Sequence, residues 1–240
     1  MDNLIGVFDS GVGGLSIVEK LIQILPNENF LYYADSINNP YGEKNDEELF
    51  NIVCNVVEYL KNEGCKLIVI ACNTATTKCM KRLREKYDDL IFVGTVPAIK
   101  VACDNNFKNT LVMATPTTIE SERTFELIRD NKKDDQNIYL VACSGLANAI
   151  ELGDRKRVND ILKDIFKNYY DKNIDSIVLG CTHYPFIKNE ILEEMPNVTL
   201  LDGSLGVANE VKRQLINNKL ISDNSKKGNV YFVNSKNIKM

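Results

Sequence analysis

Histidine is almost missing from this chain: His183 is the only one in 240 residues. None of the seven cysteines (54, 65, 72, 79, 103, 143 and 181) belongs to a CxxC pair. A zinc site would therefore have few ligands to draw on, and no metal is expected. The cysteines are odd in number and widely spread, unlike the dense, even spacing of a secreted disulfide scaffold. Most should be inert core thiols. Long hydrophobic runs are lacking too, because stretches such as Leu67–Cys72 are far too short to cross a bilayer. The opening MDNLIGVFDSG has neither the basic flank nor the apolar core of a signal peptide. With 29 basic against 33 acidic residues, the net charge of −4 presents no basic field to nucleic acid or anionic lipid. The chain as a whole, 44% hydrophobic and 26% charged, has globular composition. A soluble cytoplasmic protein of one large or two small domains is expected.

Short β-branched runs alternate with amphipathic stretches. The runs are Leu4–Phe8, Asn29–Tyr33, Lys66–Ile70, Leu90–Gly94, Asn109–Met113, Ile138–Ala142, Asp175–Leu179 and Val198–Leu201. Helical patterns cover Leu15–Leu25, Asn45–Asn62, Ala75–Tyr87, Ile119–Asn131, Arg155–Tyr170 and Pro185–Met195. In the first of these, Leu15, Val18, Leu21, Ile22 and Leu25 share one face. Near-continuous apolar strands between helices predict an α/β fold with mainly parallel, doubly covered sheets.

The chain also repeats itself. KLIVIACNT (66–74) and DSIVLGCTH (175–183) each carry a cysteine just past a strand, 109 residues apart. IGVFD (5–9) and LVMAT (111–115) form a second matching pair. Each half offers four strands with its cysteine after the third. Two similar α/β domains are expected, joined near Gly94–Pro97.

Ligands of parallel α/β sheets bind beyond the carboxyl ends of the strands. Asp9, Ser10, Cys72, Asn73, Thr74, Thr115, Thr117, Cys181, Thr182 and His183 should lie at such ends, converging on one cleft if the domains face each other. Loop amides at the following helix N-termini would favour an anionic ligand such as a carboxylate. The same location favours thiolate over thiol. DSGVGGLS (9–16) is glycine-rich, but Ser16 occupies the place of the third glycine of a dinucleotide loop. Taken singly, a cysteine after a strand is core more often than catalyst, His183 could be structural, and Glu151 could be a solvated helix charge.

A thiolate is a nucleophile, a metal ligand or a base. Metal ligation lacks partners here, and a lone nucleophile needs no symmetric twin. Two-base proton transfer does need one: one group removes an α-proton while the other protonates the opposite face. Fixed donors around a substrate carboxylate would stabilise the charge that develops. No electron-sink cofactor is required. An amino-acid-binding module without chemistry is the alternative from another class, though binding alone has no use for paired thiols.

The stretches FDSGVGGLS (8–16), PYGEK (40–44), ACNTAT (71–76), ATPTT (114–118) and LGCTHYP (179–185) resemble the cofactor-independent aspartate/glutamate racemase family, in family order and across most of the chain. His183 after GCT resembles the members acting on glutamate, since those acting on aspartate tend to carry Glu there. The resemblance implies interconversion of L- and D-glutamate without cofactor, with D-glutamate feeding peptidoglycan synthesis. It implies Cys72 and Cys181 as the acid/bases, acting on D- and L-glutamate respectively. Asp9 and His183 would assist them, with Glu151 as a further acid. Substrate contacts carry over to Asp9, Ser10, Tyr41, Gly42, Asn73, Thr74, Thr182 and His183, with Thr115 and Thr117 in second rank. The implied fold is two pseudo-symmetric domains, 1–95 plus 206–240 carrying Cys72 and 96–205 carrying Cys181, with the site between them. Members often form homodimers. Two departures stand out: Asn38 occupies a place where a basic residue is frequent, and 143–151 lacks the prolines of many members.

Overall fold

A computed structural model describes residues 3–237 of the chain. By contact the chain falls into two compact units. One runs to Thr95 and resumes at Ser204; the other spans Val96–Gly203.

The first unit opens with β1 (Leu4–Asp9), α1 (Leu15–Ile24), β2 (Asn29–Ala34), α2 (Asp46–Asn62), β3 (Cys65–Ile70), α3 (Asn73–Lys86) and β4 (Phe92–Gly94). All six residues of β1, LIGVFD, are buried, as expected for a strand covered on both faces. Helix α2 starts where Asn45 accepts a hydrogen bond from the Glu48 amide at 2.9 Å. Asp46, Glu47 and Glu48 place negative charge in its first turn. Its apolar face, including Leu49, Val53, Val57 and Leu60, packs with Phe8, Ile68 and Ile70 on one side of the sheet. Helix α1 covers the other side, where Ile17, Val18 and Leu21 meet Val7 and Val69.

The second unit contains α4 (Ile99–Asp104), β5 (Asn109–Ala114), α5 (Pro116–Ile119), α6 (Glu122–Asn131), β6 (Asn137–Ala142), α7 (Leu146–Glu151), α8 (Arg155–Phe166), β7 (Ser176–Leu179), α9 (Lys188–Glu194) and β8 (Thr199–Asp202). The chain then re-enters the first unit as α10 (Ser204–Asn217) and β9 (Val230–Asn234).

Every strand pairing among the described residues is parallel. The first sheet has the order β4-β3-β1-β2-β9 and the second β6-β5-β7-β8. Read from the opposite edge, the second order is fourth, third, first, second, which is the first sheet without β9. The repeat seen in sequence is therefore a repeat of topology. In both sheets the order reverses between the first and third strands, and that switch point is where such sheets place ligands.

Several elements depart from the sequence expectation. The helix expected from Ile119 starts after Ser121, whose hydroxyl accepts from the Thr124 amide at 3.2 Å, and α5 precedes it as a separate turn. The helix expected over Pro185–Met195 is a 3₁₀ turn, Tyr184–Ile187, followed by α9. Helices α4, α7 and α10 and strand β9 were not anticipated, and the helix expected through Tyr170 ends at Phe166. Val207, Ala208, Val211 and Leu215 of α10 recur at helical spacing and complete the core beside α1. Strand β9 is an edge strand of mixed exposure, so its alternation is faint.

Candidate active site

In the first unit, Asp9 ends β1 and Cys72 follows β3, its sheet neighbour, at the switch point. The Ala71 amide donates to the Phe8 carbonyl at 2.9 Å, holding the two strand ends together. Asp9 is fully buried, and its carboxylate accepts a hydrogen bond from the Gly14 amide at 3.0 Å. Gly14 has no room for a side chain: a Cβ there would lie 2.9 Å from Asp9 Cβ and 3.0 Å from Ala71 Cβ. The glycine-rich stretch after β1 thus serves close approach of the turn to Asp9 rather than a nucleotide phosphate.

Cys72 occupies the N-cap position of α3, a 14-residue helix, with extended backbone. A thiolate there faces the positive end of the helix dipole. Asn73 and Thr74 form the first buried turn of that helix, and Asn73 Oδ1 is buried without a hydrogen-bond partner among the described residues. Ser10 is buried as well. Tyr41 opens a 3₁₀ turn, Tyr41–Glu43, and its hydroxyl donates to Asp35 at 2.7 Å. Burial pushes the Tyr41 phenol well above its ordinary value, and the neighbouring Asp35, Cys72 and Asp9 push it further. Gly42, exposed, follows in the same turn. Asp35, missed in sequence, is fully buried and also receives both of its oxygens' contacts from the Asn38 amide, at 3.0 and 2.9 Å. Asn38 is thereby a donor that helps fix this turn.

In the second unit Cys181 follows β7, next to β5 and Thr115, at the equivalent switch point. The Gly180 amide donates to the Met113 carbonyl at 2.7 Å. No α-helix begins at Cys181, so its surroundings differ from those of Cys72. Instead Cys181 Sγ lies 3.8 Å from His183 Nδ1, and His183 Nε2 lies 2.6 Å from the Glu151 carboxylate at the end of α7. With the ring proton on Nε2 facing Glu151, Nδ1 is left to accept from the thiol. Thr182 and His183 are buried. Thr115 caps α5, accepting from the Thr118 amide at 3.4 Å, and Thr117 lies in that turn. Tyr184 and Cys143, given no role from the sequence, pack in the core around Cys181.

Four of the other thiols are held as thiols by their surroundings. Burial pushes Cys65, Cys79 and Cys143 up to about 12 and raises Cys103. None of these four can supply much thiolate near neutral pH. Among the described residues there is no group of three or more His, Cys, Asp or Glu placed to hold a metal ion. Nor is any helix among them long and apolar enough to cross a membrane.

The family model for Asp/Glu/Hydantoin racemases matches residues 16–210, and the chain belongs to that family. Its relatives narrow the class to isomerases named glutamate racemase. One from Clostridium perfringens is 42% identical over 235 residues, covering 96% of this chain and 90% of the relative. The crystal structure of glutamate racemase isoform RacE1 from Bacillus anthracis superposes with a TM-score of 0.84 at 29% identity, covering 97% of this chain and 88% of that one. The glutamate racemase of Francisella tularensis, solved in complex with D-glutamate, gives 0.82 at 31% identity over 100% of this chain and 90% of its own.

Proposed function

We propose that the chain is a glutamate racemase that interconverts L- and D-glutamate by cofactor-independent two-base proton transfer. The observation that carries the reading is the pair of thiols at equivalent switch points of two sheets of the same topology, each with its own polar support. From D-glutamate, the Cys72 thiolate takes the α-proton and becomes a thiol. The Cys181 thiol gives its proton to the opposite face of the same carbon and becomes a thiolate. In the reverse direction the roles exchange, so no proton or electron is left over. Asp9 supports the Cys72 side; on the Cys181 side His183 Nδ1, its ring held by Glu151, accepts the thiol's hydrogen bond and so positions the proton that passes to the α-carbon.

The obstacle is the weak acidity of a carbon next to a carboxylate. Amides at the start of α3 and the hydroxyls of Thr74 and Thr182 are suited to stabilise the charge that builds on that carboxylate. Substrate contacts are assigned to Asp9, Ser10, Tyr41, Gly42, Asn73, Thr74, Thr182 and His183. The D-glutamate so formed supplies peptidoglycan synthesis in the cytoplasm, and a homodimer is the assembly the resemblance implies.

The direct test is racemisation of purified protein without added cofactor, with aspartate in parallel. Turnover of glutamate alone supports the reading. Turnover of aspartate alone, or of neither acid by folded protein with reduced thiols, overturns it.

A further inference from the structure

Tyr32 carries a contact that the proposed chemistry does not yet use. It lies in β2, is almost fully buried, and its hydroxyl donates to the Gly11 carbonyl at 2.6 Å. Gly11 belongs to the turn that leads from Asp9 to Gly14, and the Gly14 amide in turn holds the Asp9 carboxylate. The same tyrosine ring lies against the far end of the turn, where a Cβ on Gly14 would come within 3.0 Å of Tyr32 Cε2. Its outer edge meets the Phe232 ring of β9 at 6.2 Å between centroids. One side chain thus bonds the start of the turn and roofs its end.

We infer that Tyr32 is a positioning residue for the Asp9–Gly14 turn, fixing Asp9 and Ser10 for proton transfer on the Cys72 side. The inference rests on the racemase reading above. Three residues of the turn, Gly11, Gly13 and Gly14, have no side chain to anchor it, and a misplaced carboxylate loses rate steeply with distance. Removing the Tyr32 hydroxyl leaves a buried carbonyl without that donor and frees the turn to shift. In this assignment Tyr32 acts through the turn and not on the reacting atoms.

Tyr32→Phe, compared with wild type and Tyr33→Phe, tests this. Tyr33 is the next residue of β2 and packs on the opposite face, its ring 5.2 Å from that of Tyr59. Because the two enantiomers are equal in free energy, kcat/KM must fall equally in both directions, here by about tenfold. The discriminating readout is the primary deuterium isotope effect, measured separately with D- and L-glutamate labelled at the α-carbon. Slower transfer at Cys72 raises the effect with labelled D-glutamate and lowers it with labelled L-glutamate. Tyr33→Phe should leave both effects and kcat/KM as in wild type. Unchanged kinetics in Tyr32→Phe, a loss of kcat/KM with both isotope effects unchanged, or misfolding of Tyr32→Phe overturns the assignment while leaving the racemase reading intact. No turnover by wild type overturns both.

Discussion

His183 and Glu151, 32 residues apart in sequence, meet through a 2.6 Å contact between the imidazole Nε2 and the carboxylate. The contact fixes which ring nitrogen faces Cys181, since the carboxylate's negative charge keeps the ring proton on Nε2. In Glu151→Gln that charge is lost while size is kept. A fall in kcat of about ten- to a hundredfold is expected, with His183→Asn at least as impaired. Steady-state kinetics in both directions check it, and an unaltered kcat in Glu151→Gln would remove the carboxylate from the scheme.

The two thiols should be individually indispensable. Cys72→Ala and Cys181→Ala are each expected to abolish racemisation in both directions while leaving the circular dichroism spectrum unchanged. Serine should not substitute, since its hydroxyl is a far weaker acid and supplies almost no alkoxide near neutral pH. Full activity in any of these variants contradicts the two-base scheme.

Gly14 offers a steric test. In Gly14→Ala the new Cβ meets Asp9 Cβ at 2.9 Å and Ala71 Cβ at 3.0 Å, so the turn must move. A stability loss of about 1–3 kcal/mol is expected from such overpacking. Activity should fall further than stability alone explains, because the displaced atom belongs to Asp9. Denaturant titration together with kcat separates the two effects.

At the opposite end of the first sheet, Lys66 and Glu28 form a buried ion pair at 2.7 Å. Lys66 also donates to the Leu220 carbonyl, and Glu28 accepts from the Ser222 amide. Together they fasten the segment between α10 and β9 to the sheet. Lys66→Met leaves a buried carboxylate without its cation and should cost about 3–5 kcal/mol. The native fraction should retain its kcat, since this pair lies at the amino ends of the strands.

Stability should decline on the alkaline side. The folded-state values of Cys65, Cys79 and Cys143, about 12, exceed the ordinary value of 9.0. Folded protein therefore keeps protons that the unfolded chain releases. The contribution is complete below about pH 9 and is lost as pH rises toward 12, at about 1.4 kcal/mol per pH unit for each thiol. Urea midpoints measured across that range check it. At pH 8 the same three thiols should resist iodoacetamide in native protein; rapid labelling of any of them would contradict their burial.

Much of the fold was legible because its strands are continuously apolar and its helices keep a clean period. Leu4–Phe8 and Lys66–Ile70 announce buried parallel strands, and the matched cysteines after β3 and β7 announce the repeat. Strand β9 was not legible: at a sheet edge its residues VYFVN are only partly covered, so neither alternation nor a solid apolar run marks it. The break of the expected Pro185–Met195 helix was hidden too, because apolar spacing does not distinguish a 3₁₀ turn from an α-helix over four residues. At the site, residues beside each other in sequence could be placed at strand ends. Contacts across long separations, such as Glu151 with His183 or Tyr32 with Gly11, depend on how α7 and β2 pack and leave no local pattern.

The central claim is proton exchange at one carbon by two thiols, and incubation of the purified protein with D-glutamate in D₂O tests it most directly. Optical rotation and the α-proton NMR signal are followed together, with no cofactor added and D-aspartate run beside it. The account predicts that rotation decays while deuterium enters the α-carbon of glutamate only. Rotation lost with the α-proton retained, or no change in either signal from folded protein with reduced thiols, would contradict it.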